Sequence, residues 1–338
     1  MKKKHIVCVG GGNAMPRAVL VGLKKYPVKI SVICAMLDSG GSAGRLRKDY
    51  KIASPGDIRR AFLALANTSP IIEDLFNFRF QAGDLKDHNF ANLFITALEL
   101  TTNDYEKTIK EVSRILNVKH EVLPSTLDKA NLCAVLENGK IISGETNIDI
   151  PKHNGNLRIK RVFLKPRAKA YPKAIEAIKK ADLIIIGPGD LYSSLAQILL
   201  TYGIPQAIRK SKAKKVYICN LMTKYGETNN FTASDFTREI EKFLGQKGDE
   251  DKSSSSPFAK ARVLDYVIYN TETPSPKRLK AFKKKHPELL DLVRFDKKPA
   301  PYRNAVSGAG FIGTDLLIKS DDIIHDPQKL VKIVLSLL

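Results

Sequence analysis

Short apolar runs, separated by glycine turns and amphipathic stretches, set the pattern of this chain. Residues 5–9 (HIVCV) form the first run; Gly10-Gly11-Gly12 follow, then a helical pattern over Met15–Lys25. A second apolar run covers 29–37 (KISVICAML). Strand, glycine turn, helix, strand opens a βαβ unit, and continuously apolar strands belong to a parallel sheet covered on both faces. Ser54-Pro55-Gly56-Asp57 predicts a helix start, with Ser54 as the N-cap, Pro55 in the first turn and Asp57 completing a capping box. Further helices are predicted over 70–80, 88–100 and 104–117. In the last of these, Ile109, Val112, Ile115 and Leu116 recur at helical spacing.

The middle of the chain changes period. Residues 131–136 (NLCAVL) and 140–144 (KIISG) flank Asn138-Gly139, a hairpin turn signal, and 157–164 alternates like a further strand. This predicts a small β-rich insertion over 121–165. The α/β pattern then resumes with a helix at 172–181, a strand at Leu183–Ile186, a glycine turn and a helix from Leu191. Strands at 215–220 and 263–269 alternate with helices at 235–244 and 276–292, and an apolar helix covers Leu330–Leu338. Residues 245–257 (GQKGDEDKSSSSP) are polar and low in complexity, the composition of a flexible loop. The expected fold is one α/β domain over 1–338: a doubly wound, mainly parallel, Rossmann-like sheet with helices on both faces.

Composition narrows the class. The chain has 338 residues, 43% hydrophobic and 27% charged, which excludes fibrous and wholly disordered readings. The basic start resembles a signal peptide, but the apolar stretch ends at the glycines, short of the roughly 7–15 residues required. No run reaches the roughly 18 apolar residues of a membrane span. Cys8, Cys34, Cys133 and Cys219 are widely spaced without a C-x-x-C pair, so they read as reduced, mostly buried thiols of a cytoplasmic protein.

The net charge is +21 and comes largely from lysine, a hydrated point charge less suited than arginine to base or bidentate phosphate contacts. The excess lies in 152–180, 205–224 and 277–303, mostly away from the glycine loops. These stretches lack tryptophan and regular aromatic interleaving, so a nucleic-acid partner is disfavoured against a solvated basic surface.

Candidate chemistry gathers in four loops, each after a predicted strand. In an open parallel sheet such ends line one edge, where ligands bind at the reversal of strand order. Gly10-Gly11-Gly12-Asn13 precedes a helix start and suits a nucleotide phosphate, although Met15 breaks the dinucleotide fingerprint. Asp38-Ser39-Gly40-Gly41 follows the second strand, with Arg45 and Arg47 beyond it; Asp38 suits a ribose hydroxyl or Mg²⁺. Gly187-Pro188-Gly189-Asp190 leads into Ser193 and Ser194, and Asp190 would favour the helix dipole while opposing an anion. Asn220, Thr223 and Glu227, with Lys224 between them, suit hydroxyl or base recognition. Among the six histidines only His88 stands where a site role is open, and no hydrolytic constellation or P-loop emerges.

The ordered blocks GGGN, DSGGSAGRLRKD, PGDIRRAFLAL, HNFAN, LPSTL, IGPGDLYSSL and KVYICNLMTKYGET, closing with HDPQKL, resemble the YvcK/CofD-like family, nearest its YvcK branch. The resemblance spans nearly the whole chain and adds Asp57 and Asn92 to the candidates. It departs at Ala14, Ser39, Ala91 and Asp190, where the family usually has other residues. It implies a small anionic ligand of the nucleotide or nucleotide-sugar class. YvcK-like proteins bind UDP-sugars and act in gluconeogenic growth and cell-wall or cell-shape control. The CofD branch moves phospholactate from a guanosine diphosphate donor to a deazaflavin with Mg²⁺. The expectation for this chain is a cytoplasmic UDP-sugar-binding protein with a regulatory role rather than a catalytic one. A 2-phospho-L-lactate transferase-like enzyme is the alternative, and the apolar C-terminal helix leaves a homo-oligomer open.

Overall fold

A computed structural model describes residues 3–245, 263–296 and 309–338. The central sheet has seven parallel strands: β1 (His5–Val9), β2 (Lys29–Cys34), β3 (Glu121–Pro124), β7 (Leu183–Ile186), β8 (Lys214–Ile218), β10 (Tyr266–Asn270) and β12 (Gly310–Thr314). Their order across the sheet is β12-β10-β8-β7-β1-β2-β3. The chain winds outward from β1 to β2 and β3, then returns to lay β7 on the other flank of β1. The strand order therefore reverses between β1 and β7.

All residues of β1 and β7 are buried, which explains their unbroken apolar character. Alternate side chains serve opposite faces. Val7, Val9, Ile184 and Ile186 join one core, while Ile6, Cys8, Leu183 and Ile185 join the other. The four cysteines are free and buried, as expected, and burial pushes the Cys8 and Cys34 thiols up.

Helices cover both faces. On one side lie α1 (a π-helical turn Pro16–Leu20 continuing as Val21–Leu23), α3 (Gly56–Leu65), α5 (Phe90–Thr102), α6 (Tyr105–Ile115) and the C-terminal α13 (Pro327–Ser336). The other side carries α8 (Pro172–Lys180), α9 (a π-helical turn Leu191–Leu195 continuing as Ala196–Leu199), α10 (Ile204–Lys210) and α11 (Ala233–Gly245). α2 (Gly41–Tyr50) and α4 (Pro70–Asn77) complete the first half of the chain. A β-rich insertion holds β4 (Asn131–Leu136), β5 (Ile141–Ser143) and β6 (Ile159–Lys165) as an antiparallel sheet, with the short α7 (Glu145–Asp149) after β5. The β4–β5 turn carries Gly139 at φ +84°, the conformation that an Asn-Gly turn supplies.

Three boundaries move. The insertion begins at Asn131, because Glu121–Pro124 pairs with β2 as the sheet's edge strand. The second strand stops at Cys34, and residues 35–37 continue buried but unpaired. The helix expected over 276–292 is α12 (Pro276–Lys285) only. His286-Pro287 ends it, and β11 (Leu289–Leu292) pairs antiparallel with β9 (Met222–Lys224). Most of the predicted loop at 245–257 lies outside the described residues.

Candidate functional site

The loops after β1 and β7 flank the reversal of strand order, and both rest on glycines that a side chain could not replace. Gly12 has φ +62° and Gly187 φ +71°. A Cβ on Gly187 would stand 3.0 Å from the Ile218 carbonyl oxygen. A Cβ on Gly11 would overlap the Asp57 carboxylate. Each loop opens into a helix whose first turn is π-helical, a distortion frequent at functional sites.

Asp57 is buried at the start of α3. Its Oδ1 accepts the Gly12 N–H at 3.0 Å and a close bond from Arg60. The same Arg60 nitrogen lies 3.6 Å from Asp38 Oδ2. Two carboxylates from separate loops thus converge on one guanidinium. Burial, with Asp57 beside it, holds the Asp38 carboxyl well above its ordinary range, against the pull of Arg60. Ser54 does not cap this helix. Pro55 stands at the N-cap, Ser54 Oγ has no partner among the described residues, and Asp57 faces the glycine loop in place of a capping box.

The Asp38–Gly41 loop is sewn to α7 of the insertion. Ser39 N donates to Glu145 Oε2 at 3.2 Å, and Ser39 Oγ donates to Thr146 Oγ1 at 3.1 Å. Gly41, at φ +55°, opens α2. Burial raises Glu145 to about 7, with Asp149 and Asp57 adding to the effect. Arg47 is spent on the carbonyls of Leu37 and Ala130, so it supports the loop. Arg45 is exposed and gives one bond to the Lys86 carbonyl at 2.9 Å. Asn92 is buried, with Nδ2 donating to Ser42 Oγ at 3.2 Å and Oδ1 unpartnered among the described residues.

On the β7 side the helix start is already occupied. Glu227, fully buried, accepts the N–H groups of Tyr192 and Ser193 at 2.9 and 3.0 Å and the Ser193 hydroxyl at 2.7 Å. The positive end expected to receive an external anion is capped from within. Lys224 is buried beside it, pairing with Asp149, with Asp190 at 2.8 Å and with Glu227 at 3.3 Å. Burial works against its charge, but the three carboxylates prevail and raise its pKa. Asp190 is thus held by Lys224, but one ammonium against three carboxylates leaves this cluster net negative.

Glu227 and Thr223, expected to meet ligand, serve the interior. The Thr223 hydroxyl accepts from Asp291 N at 3.1 Å and donates to the Asp291 carbonyl at 3.3 Å, locking β9 to β11. Asn220 remains at the end of β8 with Oδ1 unpartnered among the described residues. Gly11 and Gly12 meet Asp57, which shares Arg60 with Asp38, and Gly187 to Asp190 follow β7 across the reversal of strand order, the place where an open parallel sheet leaves a crevice. Asn92 and Arg45 lie to its side, with α2 and the 78–90 loop. Sequence reasoning missed Arg60, Glu145, Thr146 and Asp149. Arg60 sits one helical turn after Asp57, a spacing that carried a signal; the insertion residues carried none, because only tertiary folding brings them in.

Two groupings have the chemistry for a cation. Asp149, Asp190 and Glu227 bring carboxylate oxygens within 4.8 Å of one another, but the Lys224 ammonium already stands among them. Asp38 and Asp57 likewise hold the Arg60 guanidinium between them, so a cation there has to displace Arg60. With Arg60 moved aside the two carboxylates suit Mg²⁺, which takes one or two carboxylates and completes its shell from phosphate and water.

The profile of the family described as 2-phospho-L-lactate transferase CofD matches residues 6–307. A putative gluconeogenesis factor of Aquifex aeolicus is 38% identical over 344 residues, covering 100% of this chain and 98% of that protein. The gluconeogenesis factor of Bacillus subtilis is 37% identical over 340 residues, covering 100% and 99%. A crystal structure of a UPF0052 family member from Bacillus halodurans superposes with a TM-score of 0.86 at 36% identity, covering 99% of each chain. The seven-stranded switch-point fold and these full-length likenesses agree: the chain belongs to the CofD/UPF0052 family, among relatives named gluconeogenesis factor (YvcK).

Proposed function

We propose that this protein binds a nucleotide-sugar of the UDP-sugar class across the β1–β7 crevice and acts in the cytoplasm as a regulator of gluconeogenic growth and cell-wall or cell-shape control. The observation that carries the reading is the paired glycine loops at the reversal of strand order, where Gly11 has no room for a side chain. The diphosphate lies against Gly10–Asn13 and Gly187–Gly189. Asp38 and Asp57 hold Mg²⁺ against it, and Asn220 meets the base or sugar. Asp57 already takes the Gly12 N–H, so a cation, with Arg60, is what makes an anion welcome there. Isothermal titration with UDP-N-acetylglucosamine, with and without Mg²⁺, tests this. Saturable heat supports it; no heat with any UDP-sugar overturns it.

The Asp38–Asp57 pair also favours a second reading. A transferase of the CofD kind would use the same two carboxylates to hold a metal on a guanosine diphosphate donor. Turnover of such a donor that requires Mg²⁺ and is abolished by Asp38→Asn would replace the regulatory reading.

A further inference from the structure

A cavity of about 780 Å³ runs along the free edge of the sheet. β3 lies in its lining, and α6 and α8, from opposite faces of the sheet, flank it. It is distinct from the glycine crevice, which lies between β1 and β7 with β2 standing between it and β3. The volume falls among those of small-ligand sites. A pairing peptide is a poor occupant. Ile33 accepts the Gly10 N–H on the β1 side and Cys34 accepts the Ser125 N–H on the β3 side, so the alternation turns the backbone of Val122 and Pro124 to the free edge. Pro124 has no N–H to offer there.

The acids that line the cavity are already engaged. Glu106 takes the Tyr171 hydroxyl at 2.6 Å on one oxygen and the Lys173 ammonium at 2.7 Å on the other, tying α6 to α8. Glu121 takes Lys29 at 2.7 Å on one oxygen and Ser31 on the other. Asp104 Oδ1 caps α6, accepting from Glu106 N at 2.9 Å and Lys107 N at 3.1 Å. Glu176 pairs with Lys180 at 3.3 Å. The donors are not engaged to the same degree. Lys107 comes no nearer than 3.9 Å to Asp104, and Lys110, one helical turn on, makes no ion pair among the described residues. His120 Nδ1, buried in the same lining, has no partner among them either, which marks an unfilled polar position. Each lysine brings three donors and no acceptor, so the cavity is short of acceptors. Ile109, Leu123 and Ala177 add apolar surface.

We propose that this cavity is a second binding site, taking a small organic anion. Its carboxylate or phosphate head accepts from Lys107 and Lys110, and its apolar body lies against Ile109, Leu123 and Ala177. The site does not depend on the nucleotide reading, since it shares no residue with the glycine crevice.

The whole protein is titrated calorimetrically with benzoate, phenyl phosphate and benzylamine, which share a ring and differ in charge. Wild type should give saturable heat with benzoate or phenyl phosphate, and which of them binds identifies the head group; benzylamine should give none. Lys107→Gln combined with Lys110→Gln, at exposed positions, should leave the melting temperature near that of wild type. It should weaken the anion by about tenfold or more, the effect of losing charge-assisted bonds. Lys284→Gln combined with Lys285→Gln, equally exposed but on α12, removes the same charge elsewhere and should leave the affinity unchanged. No heat with either anion, saturable heat with benzylamine, an undiminished affinity in the α6 variant, or an equal loss in the α12 variant overturns the proposal.

Discussion

At Gly11 a single missing side chain sets the geometry of the candidate site. The space its Cβ would take holds the Asp57 carboxylate, which also receives the Gly12 N–H. Gly11→Ala is expected to cost about 1–3 kcal/mol by urea unfolding, as overpacking does, and to abolish the calorimetric signal of any UDP-sugar. Gly56 makes a second such approach: a Cβ there would stand 2.7 Å from Asp38 Oδ2. Titration adds a prediction for Glu145. Its folded pKa is raised from 4.5 to about 7, so the folded state binds this proton more tightly than the unfolded one. The group therefore disfavours folding at pH 8, and this penalty is relieved as pH falls through about 7 toward 4.5. Glu145→Gln removes the penalty. Measured by thermal unfolding from pH 8 to pH 5, the variant should lead wild type most at pH 8, with the lead shrinking on acidification. An unchanged difference across that range would count against a raised carboxyl.

Lys224, between elements, ties three parts of the fold together: Asp149 from the insertion, Asp190 from the β7 loop and Glu227 from the cap of α9. Lys224→Met leaves those carboxylates facing one another, and breaking a buried pair in this way costs about 3–5 kcal/mol. Hydrogen exchange should quicken in 145–149 before it does in β1. Glu227→Ala should cost about 2–3 kcal/mol, since a charged acceptor and a helix cap are lost together. Legibility in the sequence divided along the same line. β1, β7 and their glycine turns were readable because local pattern sets them. The helix at 276–292 was overread because Leu289–Leu292 fits both periods, and only the pairing with β9 decides it. Thr223 and Glu227 looked like ligand contacts because polar residues after a strand usually are. Their partners, Asp291 and the start of α9, are distant in sequence and invisible to local pattern. Asp57 pointed to a helix start, yet its carboxylate serves a loop formed far earlier in the chain.

For the molecule as a whole, the lysines behind the +21 charge are, among the described residues, mostly exposed, with Lys224 the buried exception. The candidate site itself is richer in acids than bases, with Arg60 and Lys224 against Asp38, Asp57, Asp149, Asp190 and Glu227. α12 presents several lysines without an apolar or aromatic platform. Retention on a DNA column is therefore expected to be sequence-blind and lost by about 0.2 M salt. Retention well above that, with a preferred sequence, would restore the nucleic-acid reading.

The reversal between β1 and β7 also carries a consequence for how the chain folds. β1 finds β2 through a short crossover, but β7 reaches it only after β3 and the entire insertion have been laid down. Closing so distant a pair is slow, because loop entropy is lost before contacts reward it. A half-folded chain thus has one glycine loop and no crevice. A ligand of that crevice recognises only the finished molecule, so each binding event withdraws a completed chain from the folding equilibrium. Ligand supply would then set how much of the protein persists as well as how much of it is occupied.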